Sequence, residues 1–329
     1  MNRDYPTDRL TGAGAEALVV GSKRIIVVGG GGWMGLASLE LLHRLLGPEA
    51  FTRRVVAFGS SSRTLSLRGG LTLCQHPLSA LADLAPQPSL VLHFAFLTQE
   101  KAKQMSEADY VSANRAISKT VMDCLDLIGA EGVFVPSSGA VYKVVTPLAQ
   151  ASMRLYGRLK LEDERAFTTW AEVGAGRRAA IARVFNLSGP YINKQSSYAL
   201  ACFINDALAG RPIEIKAPHP VYRSYVAISE LMSIIFGLLT NGKIGAIAFD
   251  TAGDQTYEMT EIAGVVNKCL GSKAGILRPQ MVDVGADRYV GETAIYRQLR
   301  RDLNVGPVDF SSQVTGTAVY LKSAIDRTS

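Results

Sequence analysis

Tyr156 and Lys160 stand four residues apart in Tyr156-Gly-Arg-Leu-Lys160. On a helix that spacing puts a phenol and an ammonium on one face. A free phenol has a pKa of about 10, too high for efficient base work at neutral pH, and a neighbouring cation favours its phenolate. Taken alone, the two could be an ordinary surface pair. Two further clusters give them company. Ser137-Ser138 closes an apolar run at 133–136, and Arg183-Val-Phe-Asn186 closes the next one. A different chemistry is suggested by Ile25-Ile-Val-Val-Gly-Gly-Gly-Gly-Trp-Met-Gly35, where Gly29, Gly32 and Gly35 recur at three-residue spacing after a strand and before a helix. In that context Gly29 permits a tight turn, Gly32 lets a pyrophosphate approach the backbone, and Gly35 lets the helix pack on the sheet. The helix N-terminus then meets the phosphate charge. Gly30 and Gly31 fill variable positions. A glycine-rich structural turn is the competing reading, and the strand–helix context favours a dinucleotide cradle.

The second strand speaks to which dinucleotide. An NAD site commonly has a carboxylate near its end, for the ribose 2′-hydroxyl. Here the chain reads Ala57-Phe-Gly-Ser-Ser-Ser-Arg63. Ser60, Ser61, Ser62 and Arg63 suit a 2′-phosphate, which arginine grips bidentately, so NADP is the expected cofactor and NAD the alternative. A polar loop with a solvated arginine is the bland reading. His43, His76, His93 and His219 are scattered, as are Cys74, Cys124, Cys202 and Cys269, so no metal site is expected.

The elements that would position these groups alternate along the chain. Strands are expected at 25–28, 55–58, 89–94, 132–136 and 179–185. Helices are expected at 33–46, ended by Gly47-Pro48, after the N-cap Ser106, and at 155–171. A helix near 228–239 and a strand near 246–249 rejoin them. This is an α/β pattern, a Rossmann-type doubly wound parallel sheet with a smaller mixed α/β C-terminal substrate lobe. Residues 1–22 are read as a polar N-terminal extension, partly disordered. Residues 23–189 plus about 226–252 make the NAD(P)-binding domain, and about 190–225 plus 253–329 the substrate-binding lobe. The 329 residues are 47% apolar and 19% charged with net charge +6, an ordinary globular balance. No Lys/Arg-rich run argues for nucleic acid. No apolar run nears the roughly 20 residues of a membrane helix. Unpatterned cysteines point to a reducing, cytoplasmic setting.

These features occur in a fixed order, and together they resemble the extended short-chain dehydrogenase/reductases, the NAD(P)-dependent sugar-nucleotide epimerases, dehydratases and reductases. The matches run from the cradle through Leu92-His-Phe-Ala95, Asn114, Ser137-Ser-Gly-Ala-Val-Tyr142 and Tyr156-x-x-x-Lys160. They continue through Arg183-x-x-Asn-x-x-Gly-Pro190 to Arg223-Ser-Tyr-Val226. The resemblance implies that Tyr156 is the general acid/base, with its phenolate favoured by Lys160 and the oxidised nicotinamide. Lys160 would also hold the nicotinamide ribose, and Ser138 the reacting oxygen. Gly29, Gly32, Trp33, Met34, Gly35, Phe94 and Ala95 would contact the cofactor. Asn186 and Arg223 would contact the nucleotide sugar, although a capping role for Asn186 and a structural ion pair for Arg223 stay open. Asn114 would be structural, and His93 a packed strand-end residue. Gly139-Ala140 stand where the family's 4,6-dehydratases carry Asp-Glu, which argues against 4,6-dehydration. The expected function is epimerisation or reduction at a sugar carbon of a nucleotide sugar, 4-keto reduction mildly favoured. The alternatives are a reductase of a non-sugar small molecule and a non-catalytic dinucleotide-binding regulator. A homodimer through the helices at 106–128 and 155–171 is also implied.

Overall fold

The computed structural model describes residues 5–102, 104–146 and 149–325. Strand β1 (Arg24–Val28) is buried at every residue, as an apolar run without alternation must be inside a sheet covered on both faces. β2 (Val55–Gly59), β3 (Arg63–Ser66), β4 (Thr72–Pro77), β5 (Ser89–His93), β6 (Ala130–Ser138) and β7 (Arg178–Val184) join it. β8 (Leu187–Ser188), β9 (Ile213–Glu214), β10 (Val221–Arg223) and β11 (Val226–Ala227) lie outside, and β12 (Gly245–Asp250) returns to the sheet edge. The eight-stranded order is β12-β7-β6-β5-β1-β2-β4-β3. Only β3 and β4 pair antiparallel within it. The order reverses at β1, where Val28 faces both Phe58 and His93. At such a switch point the chains diverge beyond the strand ends and leave a crevice.

Helices α1 (Gly12–Val20), α2 (Trp33–Arg54), α3 (Gln99–Ala102), α4 (Glu107–Leu125), α5 (Ala151–Val173), α6 (Ala199–Leu208) and α7 (Ile228–Asn241) follow. The expected stop at Gly47-Pro48 is a kink. Gly47 adopts φ 73°, and the helical run resumes to Arg54. Ser106 caps α4 as expected, its hydroxyl accepting the Asp109 N–H at 3.1 Å. α7 is buried all round from Ile228 to Leu239, because a further layer covers it. Part of that layer is α1. A Cβ on Gly14 would stand 2.3 Å from the Gly237 nitrogen, so α1 and α7 cross glycine to glycine. The expectation of a polar, partly disordered extension over residues 1–22 is therefore corrected for its described part. Leu10, Ala15 and Leu18 are buried there. Asp8 pairs with Arg68 at 2.7 Å, and Arg54 donates to the Leu18 carbonyl at 2.7 Å. Three apolar residues are too few to register as a period, yet they fill the groove over α7.

The remaining strands are β13 (Tyr257–Glu258), β14 (Ile276–Leu277) and β15 (Asp287–Tyr289), and the remaining helices α8 (Met259–Leu270), α9 (Thr293–Asp302) and α10 (Phe310–Ile325). α6, α8 and α10 share a second core of Ile204, Ile262, Val266, Val314 and Leu321. Beside it runs the sheet β13-β10-β15. α9 turns away from this lobe and adds Tyr296 and Leu299 to the main core. Of the stretch 253–329, expected as lobe, the described part to 325 is thus shared between sheet domain and lobe. Among the described residues no helix is long and apolar enough to cross a membrane.

Candidate active site

The cradle has physical reasons for glycine at 29 and 35. Gly29 adopts φ 87°, and a Cβ there would lie 2.6 Å from the Ala95 nitrogen, where the ends of β1 and β5 meet. A Cβ on Gly35 would lie 2.4 Å from the Gly29 carbonyl oxygen. Gly32, the N-cap of α2, meets nothing nearer than 3.4 Å. Its smallness serves the cleft beside it, which Gly32, Trp33, Met34 and Gly35 line. Phe94 donates its N–H to the Val28 carbonyl at 2.7 Å and joins that lining. The unpaired N–H groups of a helix start, beside Gly29, Gly32 and Gly35, fit a dinucleotide pyrophosphate.

Ser60, Ser61, Ser62 and Arg63 are exposed after β2. The Arg63 guanidinium lies over Gly31, where a Cβ would come within 1.6 Å of its Nη2. One residue of this region escaped sequence reasoning. Gln75, buried in β4, accepts the Gly31 N–H at 3.1 Å and donates to the Ser61 carbonyl at 3.0 Å. It ties cradle and serine loop together. Gly59 gives it room, since a Cβ there would meet the Gln75 amide at 2.3 Å. The Trp33 indole N–H reaches the Pro190 carbonyl at 2.8 Å, and its ring lies 5.4 Å from Tyr198, so the start of α2 is also tied to the lobe.

Ser138 ends β6, and Tyr156 and Lys160 rise from α5 onto the same cleft. Burial holds the Tyr156 phenol well above its ordinary pKa; Tyr289 and Tyr110 add to this, and a hydrogen bond with Ser138 opposes it. Lys160 is buried and pushed down to about 8, chiefly by desolvation, with Asp163 at 4.0 Å and Glu164 opposing. Burial, Tyr289, Tyr110, Ser138 and Tyr198 are the leading influences on the Tyr156 phenol, ahead of Lys160. Phe96 touches both the Lys160 and the Tyr156 side chains. Its ring lies 3.5 Å from the Lys160 ammonium and edge-on to Tyr156 at 5.6 Å. Burial favours the protonated Tyr156 phenol. His93 is buried and pushed down to about 3 by desolvation first and Lys160 second, so it is a neutral packed residue, tilted on Phe167 at 5.4 Å. Asn114 accepts the Leu97 N–H at 2.7 Å and supports the backbone after Phe96.

The far wall of the cleft comes from the segment after β7 and from the lobe. Asn186 and Arg223 both line it, and both side chains are also engaged with the protein. Asn186 Nδ2 donates to the carbonyls of Ser224 at 3.1 Å and Tyr289 at 3.2 Å. Arg223 pairs with Asp287 at 2.6 Å. Both hold β15, whose Tyr289 sequence reasoning missed altogether. The short Asp287-Arg-Tyr289 strand carries no periodic signal, and only its pairing beside β10 brings it to the site. Tyr289 places its hydroxyl 3.3 Å from Ser138 Oγ. Phe185 packs on its ring at 4.7 Å. The same Phe185 explains Gly139, because a Cβ at 139 would lie 2.5 Å from its ring. The nearby carboxylates are engaged. Glu164 binds Arg183 at 2.8 Å and accepts from Ser137, and Asp250 accepts from Tyr142 at 2.9 Å. The cleft, about 500 Å³, is lined among the described residues by Lys160, Lys194 and Arg223, with no Asp or Glu.

The sequence of the NAD dependent epimerase/dehydratase family matches residues 25–248. A UDP-glucuronic acid decarboxylase of Arabidopsis thaliana is 28% identical over 95 residues, which are 29% of this chain and 27% of that protein. The chain matches such curated relatives over about a quarter of their length. An epimerase of Methanothermobacter thermautotrophicus has a similar fold, with TM-score 0.69 at 18% identity, over 95% of this chain and 97% of that one. So has UDP-N-acetylglucosamine 4-epimerase of Methanobrevibacter ruminantium M1, with TM-score 0.70 at 16% identity, over 92% and 99%. The dTDP-glucose 4,6-dehydratase of Streptomyces venezuelae, solved with NAD bound, gives TM-score 0.66 at 17% identity, over 92% and 98%.

Proposed function

This chain belongs to the NAD-dependent epimerase/dehydratase family, and from that premise we propose that it moves hydride at a carbon of a nucleotide-activated sugar. Net reduction of a 4-keto sugar is favoured over epimerisation, and 4,6-dehydration is disfavoured. The observation that carries the reading is the convergence of Ser138, Tyr156 and Lys160 on one cleft that opens onto the glycine cradle. The bound nicotinamide supplies or takes the hydride. Tyr156 gives its proton to the substrate oxygen, Ser138 holds that oxygen, and Lys160 holds the ribose hydroxyls. Phe185, in the space a side chain at 139 would need, argues against the acid that water elimination requires. Asn186 and Arg223 are assigned to the sugar and its phosphates. Ser60, Ser61, Ser62 and Arg63 support NADP, with NAD as the alternative. Pairing of α4 and α5 with a second copy, in the cytoplasm, completes the proposal.

Mass spectrometry of ligands co-purified with the protein tests it first, by naming nucleotide and cofactor. Turnover then separates the two reactions. A reductase consumes NADPH stoichiometrically with a 4-keto sugar nucleotide, whereas an epimerase interconverts sugars with no net cofactor change. Flat NADPH absorbance with every keto-sugar nucleotide tried sinks the reductase reading. Sedimentation at micromolar concentration checks the dimer.

A further inference from the structure

Ser138 stands between two phenols. On one side it shares the cleft with Tyr156, on whose phenol its hydroxyl acts. On the other it lies 3.3 Å from the Tyr289 hydroxyl. The second phenol comes from the lobe, and several groups fix it. Asn186 holds its carbonyl at 3.2 Å, and Phe185 packs on its ring at 4.7 Å. Arg223, its partner in the β10–β15 register, lies 5.9 Å from the ring centroid. Yet Tyr289 has no task in the roles given to Ser138, Tyr156 and Lys160.

We propose that Tyr289 is a positioning and proton-relay residue that acts through Ser138, returning to Tyr156 the proton that Tyr156 delivers to the substrate oxygen. The proposal rests on the hydride-transfer reading of the site. The proton count closes. The Tyr156 O–H breaks and the substrate oxygen gains that proton. The Ser138 proton passes to the Tyr156 oxygen, and the Tyr289 proton passes to Ser138 Oγ. The Tyr289 phenolate then takes a proton from water, for which its half-buried position leaves access. No electron moves along the chain, and oxidation runs it in reverse. A hydroxyl can serve each step because it both donates and accepts. The Ser138 hydrogen bond and Arg223 favour the Tyr289 phenolate, against a larger effect of burial.

Tyr289→Phe removes one oxygen and keeps the ring packing. The first measurement needs no ligand. Protein labelled with difluorotyrosine, whose more acidic phenol ionises within the range where the fold holds, is titrated by fluorine NMR. The Tyr156 and Tyr289 resonances are assigned with the Phe variants. In Tyr289→Phe the Tyr156 resonance is expected to titrate at lower pH, because Ser138 then serves Tyr156 alone. In a Ser138→Ala background the same change should shift it far less. A Tyr156 titration identical with and without the Tyr289 hydroxyl overturns the proposal, whatever the substrate proves to be. The second measurement uses NADPH and a 4-keto sugar nucleotide that the wild type reduces. Tyr289→Phe is expected to lower kcat by about 100-fold, the lower end of general acid–base effects, with KM unchanged and the basic limb of the pH profile displaced. A raised KM at unchanged kcat makes Tyr289 a packing residue and overturns the relay. If the wild type turns over no sugar nucleotide, the functional reading fails instead, while the titration still decides whether the three hydroxyls share protons.

Discussion

The two ends of the cleft are built by opposite means. At the cradle the work is done by backbone, with side chains removed at Gly29, Gly32 and Gly35 so that chain and ligand can approach. At the lobe wall side chains hold side chains. Phe185 and Asn186 from the end of β7, Arg223 from β10 and Tyr289 from β15 meet only because the lobe folds over the sheet. A site made of backbone has its geometry in a few consecutive residues and fails sharply when one is changed. A wall made of distant side chains shares its load, and each loss should be partial.

The sharpest break in that comparison is Gly35→Ala. Its Cβ would stand 2.4 Å from the Gly29 oxygen and 2.7 Å from the Gly30 oxygen, both backbone, so the start of α2 must lift off the cradle. NADH affinity, read by cofactor fluorescence, is expected to fall on the order of 1000-fold or below detection, since overpacking and a displaced helix start act together. Binding of uridine diphosphate, used as a probe of the lobe side, should stay within a factor of about two. Equal losses for both probes would mean that the two ends are not separate units.

Lys160 stands between the ends. Its ordinary pKa of 10.5 is lowered to about 8 by burial, so between those values the unfolded chain binds more protons than the folded one. Stability should therefore rise with pH across that window, as the buried ammonium becomes neutral. Lys160→Met removes the charge. At pH 7 it should unfold at higher denaturant, by up to about 3 kcal/mol, and its advantage should shrink toward zero near pH 10.5. A gap that stays constant with pH would show that the lysine's burial carries no such penalty.

The legibility of the sequence follows the same division. Gly29-x-x-Gly32-x-x-Gly35, the strands before and after it, and the Tyr156–Lys160 pair were readable because strand, turn and helix periods are local. Gly139 was readable as a missing acid, but its cause, the Phe185 ring, was not, because 139 and 185 meet only through the β6–β7 register that pairs Ser138 with Val184. Gln75 carried no such local signal, because its bonds to Gly31 and Ser61 require β4 beside β2. Tyr289 lies in a three-residue strand whose partner is decided by the lobe's packing, and no window of sequence holds that information. The helix at Gly12–Val20 was missed for a related reason, since its partner, Gly237, is more than 200 residues away.

On the lobe side, Asn186→Ala should cost less than the cradle change. It removes two hydrogen bonds, to Ser224 and Tyr289, each contributing about 1 kcal/mol. Because these bonds set the height of Tyr289 over Ser138, kcat with a keto-sugar nucleotide is expected to fall about tenfold. NADH affinity should not change. A comparable loss in Asn186→Ser, which keeps a donor but shortens its reach, would separate positioning from simple packing; full activity in Asn186→Ala would mean that β15 needs no such tie.

The smallest expected effect is at Arg63, where the cradle itself borrows the lobe's strategy of a single side chain. The guanidinium is exposed and lies over Gly31, so water competes for it and its pairing with a 2′-phosphate counts as a surface ion pair of at most about 1 kcal/mol. Arg63→Ala should weaken NADPH about fivefold, leave NADH unchanged, and lose even the NADPH effect at high salt. Equal weakening of both cofactors would place Arg63 on the pyrophosphate rather than the ribose. No weakening of either would leave Gln75 and the Ser61 loop as the elements that shape this end of the site.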